Sequence, residues 1–323
     1  MNLNKLKKDE NGNIFSGIYV TMIIAVILVG ILILNLAVGY NEINTNELSG
    51  NSFNYIMKDY EDNIAPLTYV ILENITNEIV ETKIPLSDSK ETIKDKVQEK
   101  LNEKNQEYLN NSQIKIETEV LYIEAGKDPF HININTLVTA NKDNMSYNKV
   151  ITSEVSIINL KDPIPALKCG NDPSFSYDEN YYYYGNSLSN YLASRNQTNP
   201  QYYINASSSC RIKRCPYDPY IQHGNGVTMK NCLDNGYYHE SADGSCFFHR
   251  FVGAGNCYDY GLEAFIRPNP LITQTGLQST SASDHVIFGV DSYPGTSIIL
   301  NTNNNVTEVI FLDSSHATKY GLI

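Results

Sequence analysis

The sequence predicts an α+β protein: an N-terminal transmembrane helix, two helices on a three-stranded antiparallel meander, then a disulfide-rich, β-dominated head. Three observations predict it. A long apolar run near the N-terminus carries no charge, the hydrophobic period then changes from helical to alternating, and all six cysteines lie beyond residue 165.

From Ile14 to Val38 no residue is charged, and Ile18–Leu34 reads IYVTMIIAVILVGILIL. About 20 apolar helical residues span a hydrocarbon core of about 30 Å. Lys5, Lys7 and Lys8 precede the run, whereas Glu42 and Glu47 follow it. That asymmetry predicts a single-pass cell-membrane protein with a cytoplasmic N-terminus and an extracellular C-terminal domain. The run exceeds a secretory h-region of about 7–15 residues, so a signal anchor is expected, or a leader cut after Gly12. The expected divisions are a tail or leader over 1–13, the membrane helix over 14–39, a membrane-proximal α+β domain over 40–165, and a Cys-rich, β-rich domain over 166–323.

In the second division, Phe53, Ile56, Tyr60, Ile64, Leu67, Ile71, Ile75 and Ile79 recur at steps of three and four, one face of a helix. Pro66 is expected to kink or divide it. Asp88 followed by Glu91 is a capping pattern that opens a second helix, with Ile93, Val97, Leu101 and Tyr108 as its apolar stripe. The period then becomes two. Ile114, Ile116, Val120 and Tyr122 alternate with polar residues, as do Ile132, Ile134, Val138 and Ala140; a turn over Asn141–Ser146 leads to a third strand over Val150–Leu160. The prolines of Asp162-Pro163-Ile164-Pro165 end the region.

A net charge of -12 excludes a nucleic-acid binder, which needs a basic face. With 41% hydrophobic and 19% charged residues the chain is expected to fold rather than stay disordered. Cys169, Cys210, Cys215, Cys232, Cys246 and Cys257 form an even set in a region expected to face outward, which reads as three disulfides. His223, His239 and His249 lie among them. Structural zinc sites usually show paired short spacings such as C-x2-C, however, and the shortest here is Cys210-x4-Cys215. Disulfides are therefore expected, and neither metal nor cofactor. Asn74, Asn110, Asn144, Asn196, Asn205 and Asn305 begin N-x-S/T sequons and are glycosylation candidates. Tyr181–Tyr184 is a run of four tyrosines, expected to pack a domain short of Leu. Asp259 and Glu263 are expected on the solvated face of a short helix, and strands are expected over Val286–Val290, Ser297–Leu300 and Val306–Leu312.

The stretch Asp9-Glu10-Asn11-Gly12-Asn13-Ile14-Phe15, a charged tail and a Gly before a hydrophobic helix, resembles archaeal type IV pilin-like and Tad-like pilus subunits. Gly17 stands where pilins place Glu. Ile157-Ile158-Asn159-Leu160-Lys161-Asp162-Pro163 resembles a strand-end signature of archaeal pilus-associated surface proteins. The resemblance implies a membrane-anchored structural or adhesive protein, a pilin-like filament component. Its partners would be the lipid bilayer, copies of itself or other pilin-like subunits, and a surface glycan or protein ligand. An enzyme is the alternative. Cys257, His285 and Asp313 stand in an order that resembles transglutaminase-like and papain-like folds, where His activates the thiolate and the acid orients His. With Cys257 in a disulfide, no catalytic residue is expected.

Overall fold

The computed structural model describes residues 7–242, 244–253, 261–268, 280–288, 294–301 and 307–323. It divides into two compact units, Met1–Glu61 and Asp62–Ile323. A single helix, α1 (Lys7–Thr82), runs through 76 residues. Among the described residues no helix is long and apolar enough to cross a membrane. The expected transmembrane span over 14–39, and with it the single-pass placement with a cytoplasmic tail and an extracellular head, is corrected. What the sequence delimits as a bounded span is the first part of one much longer helix. Its described side chains from Met22 to Leu34 are largely exposed. Pro66 lies inside α1 without dividing it.

Beyond residue 61, α1 buries Ile64, Ile71, Leu72, Ile75, Ile79 and Val80. Helix α2 (Ser89–Ser112) starts where its cap predicts: the Asp88 side chain accepts the Glu91 N–H at 3.1 Å. It buries Ile93, Val97 and Leu101. Strands β1 (Lys115–Ala125), β2 (His131–Lys142) and β3 (Met145–Ser156) form an antiparallel sheet in the order β1-β2-β3. In β2 the alternating Ile132, Ile134, Val138 and Ala140 are all buried. Strand β1 departs from strict alternation. The register shifts between Val120 and Tyr122, so Ile123 takes the buried phase and Tyr122 is left 51% exposed. One extra residue in a strand reverses the facing of every residue after it.

The remainder is less β-dominated than expected, with small sheets and short helices interleaved. Pro163 and Pro165 begin a helix rather than only ending a strand: α3 spans Ile164–Cys169, with Pro in its first turn, where no N–H is needed. Strands β4 (Ser176–Tyr177), β5 (Tyr181–Tyr183) and β6 (Ser207–Ser209) make one sheet, beside helix α4 (Ser187–Ser194). Tyr182 and Tyr184 are fully buried and Tyr183 is exposed. Helix α5 (Val227–Asn235), strand β7 (His239–Ser241) and helix α6 (Phe247–Val252) follow, and β7 pairs with β8 (Gly261–Glu263). The last sheet is built from β9 (Phe265–Ile266), β10 (Thr280–Ser283), β11 (Thr296–Asn301) and β12 (Thr307–Leu312) in the order β11-β12-β10-β9. In it β10 runs parallel to β12. The strand expected from Val286 is instead helical: α7 spans Asp284–Phe288. Helix α8 (Ser314–Lys319) closes the chain.

No disulfide joins the described cysteines: Cys169, Cys210, Cys215, Cys232 and Cys246 are all buried thiols. The expected three-disulfide framework is corrected. Cys257 lies outside the described residues. Where the framework was expected to hold the region, a buried ion triad does. Arg250, 1% exposed, pairs with Asp162 and with Asp284 at 3.0 Å. Its Nε donates to the Ser245 carbonyl at 3.1 Å, and the Tyr238 hydroxyl donates to Asp162 at 3.1 Å. The triad thus ties the segment after the meander to α6 and α7. Removing the cation strands two carboxylates out of water. Arg250→Ala is expected to cost about 3–5 kcal/mol in urea unfolding of the full chain. An unchanged midpoint would show that the triad does not hold this region.

Candidate metal centre

Four residues with metal-binding side chains converge between residues 215 and 239. The Lys213–Cys215 segment runs beside the start of β7: the Tyr238 N–H donates to the Lys213 carbonyl at 2.7 Å, and the Cys215 N–H donates to the Tyr238 carbonyl at 3.0 Å. This pairing sets Cys215 beside His239. A 3-10 turn over Tyr220–Asn225 presents His223, and the buried face of α5 presents Cys232 along with Met229 and Leu233. Helix α5 ends at Gly236 with φ +63°, where an added Cβ would stand 2.7 Å from the Ser209 side chain. Only glycine fits that turn and that contact.

The ligand atoms of Cys215, His223, Cys232 and His239 all lie within 4.8 Å of one another, and all four residues are buried. The Cys215 and Cys232 sulfurs are 3.4 Å apart. His223 Nε2 stands 3.5 Å from Cys215 Sγ, 3.0 Å from Cys232 Sγ and 3.2 Å from His239 Nε2. A disulfide needs about 2.05 Å between sulfurs. Tetrahedral zinc, with bonds of about 2.3 Å to sulfur and about 2.0 Å to nitrogen, sets its ligand atoms about 3.3–3.8 Å apart. The observed separations of 3.0–3.5 Å are far from the first and lie at or a few tenths of an ångström below the second.

The electrostatics agree. Cys232, hydrogen-bonded to Cys215, pulls the Cys215 pKa down to about 3, with His223 and His239 assisting against burial. The same contact, with burial, pushes Cys232 up. One thiolate therefore forms and forbids the other, a conflict that a divalent cation between the sulfurs removes. Burial lowers the His239 pKa and keeps the ring neutral, as ligation requires. His223 Nδ1 faces the Tyr220 carbonyl at 2.7 Å, which directs Nε2 inward. Around the two imidazoles stand Tyr220, Phe265 and Tyr320, with ring centroids 5.2–5.9 Å from one or both. This aromatic wall excludes water, and with four protein ligands no position stays open. Closed sites of this kind are structural.

The expected absence of a metal rests on the lack of a short Cys–Cys knuckle in the sequence. Here the ligands come one each from a loop, a 3-10 turn, a helix and a strand, so no short spacing arises. Their density was the only signal. His249 is not a ligand; its Nδ1 contacts Cys246 Sγ at 3.0 Å. Of the alternative thiol set, His285 and Asp313 do meet, Nε2 to Oδ2 at 3.7 Å, and the third member, Cys257, is not described. Glu263, expected on a solvated face, is instead 0% exposed on β8; Asp259 lies outside the described residues. Of the sequon asparagines, Asn74, Asn110, Asn144, Asn196 and Asn205 are exposed, and Asn305 lies outside the described residues.

No family model matches the chain, and neither a curated protein nor a solved structure is similar to it. The site is therefore read from its own geometry.

Thiol reactivity offers a direct check. In the metal-loaded chain, Cys215 and Cys232 are expected to resist N-ethylmaleimide, and chelation should expose Cys215 first because of its depressed pKa. Burial holds Cys169 near 12 and Cys210 near 11, so both should stay unlabelled until the chain is denatured. Recovery of a Cys215–Cys232 disulfide from the native protein would contradict the metal geometry.

Proposed function

We propose that this chain is a structural zinc protein, in which the ion at Cys215, His223, Cys232 and His239 holds the fold of the region it occupies. The observation that carries this is the closed set of four buried ligand atoms at metal-ligand spacing. An open coordination position would favour catalysis at that ion, and this set leaves none. The role fits the architecture around it, where short helices and strands share small cores and no disulfide joins the described cysteines.

The test is metal analysis of the full chain with thermal unfolding. Purified protein should carry zinc, and Cys232→Ser should lose one equivalent. With free zinc about 1,000-fold above Kd, binding adds about 4 kcal/mol to stability, so chelation should lower Tm on the order of 10 °C. Unchanged zinc content in Cys232→Ser, with an unchanged Tm on chelation, would refute the reading.

A second reading concerns assembly. Met22, Ile23, Ile24, Val26, Ile27, Leu28, Val29, Ile31, Leu32, Ile33 and Leu34 are each at least 50% exposed along α1. A continuous apolar surface of that length calls for a partner. The pilin resemblance supports copies of the same helix as that partner, with Gly30 permitting close approach since nothing lies within 4 Å of its notional Cβ. Light scattering of the full chain should show oligomers, and the double variant Ile27→Glu, Ile31→Glu should be monomeric. A monomeric wild type would end this reading without touching the zinc centre.

A further inference from the structure

A second convergence of metal-binding side chains lies at the start of α8 and shares no residue with the first. Asp313 caps the helix: its Oδ1 accepts the N–H groups of Ser315 at 2.9 Å and His316 at 3.0 Å. That leaves Oδ2 to face two imidazoles, His316 Nδ1 at 2.5 Å and His285 Nε2 at 3.7 Å. One donor atom from each of the three lies within 4.8 Å of the others. The rings of His285 and His316 are 5.1 Å apart, inclined by 37°. Helix α7 supplies one, helix α8 the other, and the end of β12 the carboxylate between them.

Behind the cluster stands a buried carboxylate. Glu263 Oε1 accepts from Lys319 Nζ at 2.8 Å and from the Tyr320 hydroxyl. Its Oε2 lies 3.1 Å from His316 Nε2 but is not aligned as a hydrogen bond, and among the described residues no other group satisfies it. Ser241 Oγ is on the same nitrogen at 2.8 Å. His285 Nδ1 is likewise buried, with no hydrogen-bond partner among the described residues. His316 Nε2 is thus held from outside by the Ser241 hydroxyl, with the Glu263 carboxylate close by, while Nδ1 faces Asp313. In metal-ligating histidines a hydrogen bond on the outer nitrogen fixes the ring, and the inner nitrogen holds the ion.

We propose that His285 Nε2, Asp313 Oδ2 and His316 Nδ1 form a second site for a divalent cation of the zinc class, with the Ser241 hydroxyl orienting His316 through its outer nitrogen. The donor set differs in kind from the first. It has no thiolate, and its three protein ligands leave a coordination position for water. His316 and Ser315 also belong to the wall of a cavity of about 500 Å³ that includes Tyr220, Glu240 and Lys319, so one of the three ligand residues borders open space. Cation binding separates Asp313 from His316 to ordinary ligand spacing and neutralises the carboxylate between the two rings.

Cobalt titration of the metal-free full chain separates the two sites, because only the first can give a thiolate-to-cobalt charge-transfer band. Wild type is expected to bind two cobalt ions, one with that band and one with ligand-field bands alone. His285→Ala and Asp313→Asn should each bind one, with the charge-transfer band intact as proof that the chain still folds. Asn retains the helix-capping ability of Asp313, so the second variant isolates the ligand role. Two results would overturn the proposal: a wild type that binds a single cobalt with the charge-transfer band, or variants that keep the second equivalent. A third would overturn it in favour of the thiol alternative: one cobalt per chain, with iodoacetamide labelling of Cys257 that slows in His285→Ala. Loss of the charge-transfer band in wild type would defeat the first site only, since the second is read from ligand-field bands.

Discussion

Cys215 and Cys232 lie close enough that ionising one forbids ionising the other, and two imidazole nitrogens face the same small volume. In the absence of a cation such a set is a concentration of lone pairs with too few protons to pair them, buried behind aromatic rings. The cost of burying unpaired polar groups makes that arrangement unstable by itself. A single divalent ion reverses the sign of each term: both thiols ionise, both imidazoles stay neutral, and the aromatic wall becomes an advantage because it keeps competing water away. The loop at Cys215, the turn at His223, helix α5 and strand β7 share this one constraint.

The two charged hubs nearby extend the constraint outward. Arg250 binds Asp162 and Asp284, joining the end of the meander to α6 and α7. Strand β7 continues from His239 to Ser241, which touches His316, and β8 opposite carries Glu263 to the same histidine. Glu263 lies directly opposite His239 in this pair, so the four-ligand cluster and the His285–Asp313–His316 cluster border on the same short strands. Tyr320 packs on both His223 and His239 and donates to Glu263, so its ring touches one cluster and its hydroxyl the carboxylate beside the other.

How much of this was legible in the sequence depended on whether the signal was local. The Asp88 cap, the α2 stripe and the alternation in β2 are set by neighbours within a few residues, and the structure follows them. Tyr122 was misread because a bulge has no signature in apolar periodicity. The run around Ile18–Leu34 has the composition of a membrane span, but composition does not say where a helix stops, and α1 continues to Thr82. The cysteines were misread for a different reason. An even count in a region assumed to face outward argues for disulfides only while that placement holds, and the pairing of Cys215 with His223 and His239 is a product of tertiary structure. Asp313 and His285 were visible as residue types, but His316 and Glu263 became relevant only when β8 and α8 brought them together.

Zinc K-edge absorption spectroscopy of the full chain, loaded with one equivalent of zinc, tests the central claim most directly. The account predicts a first shell of two sulfurs at about 2.3 Å and two nitrogens at about 2.0 Å. A shell of nitrogen and oxygen alone would contradict it, because it would show that the two buried thiols do not meet at the ion.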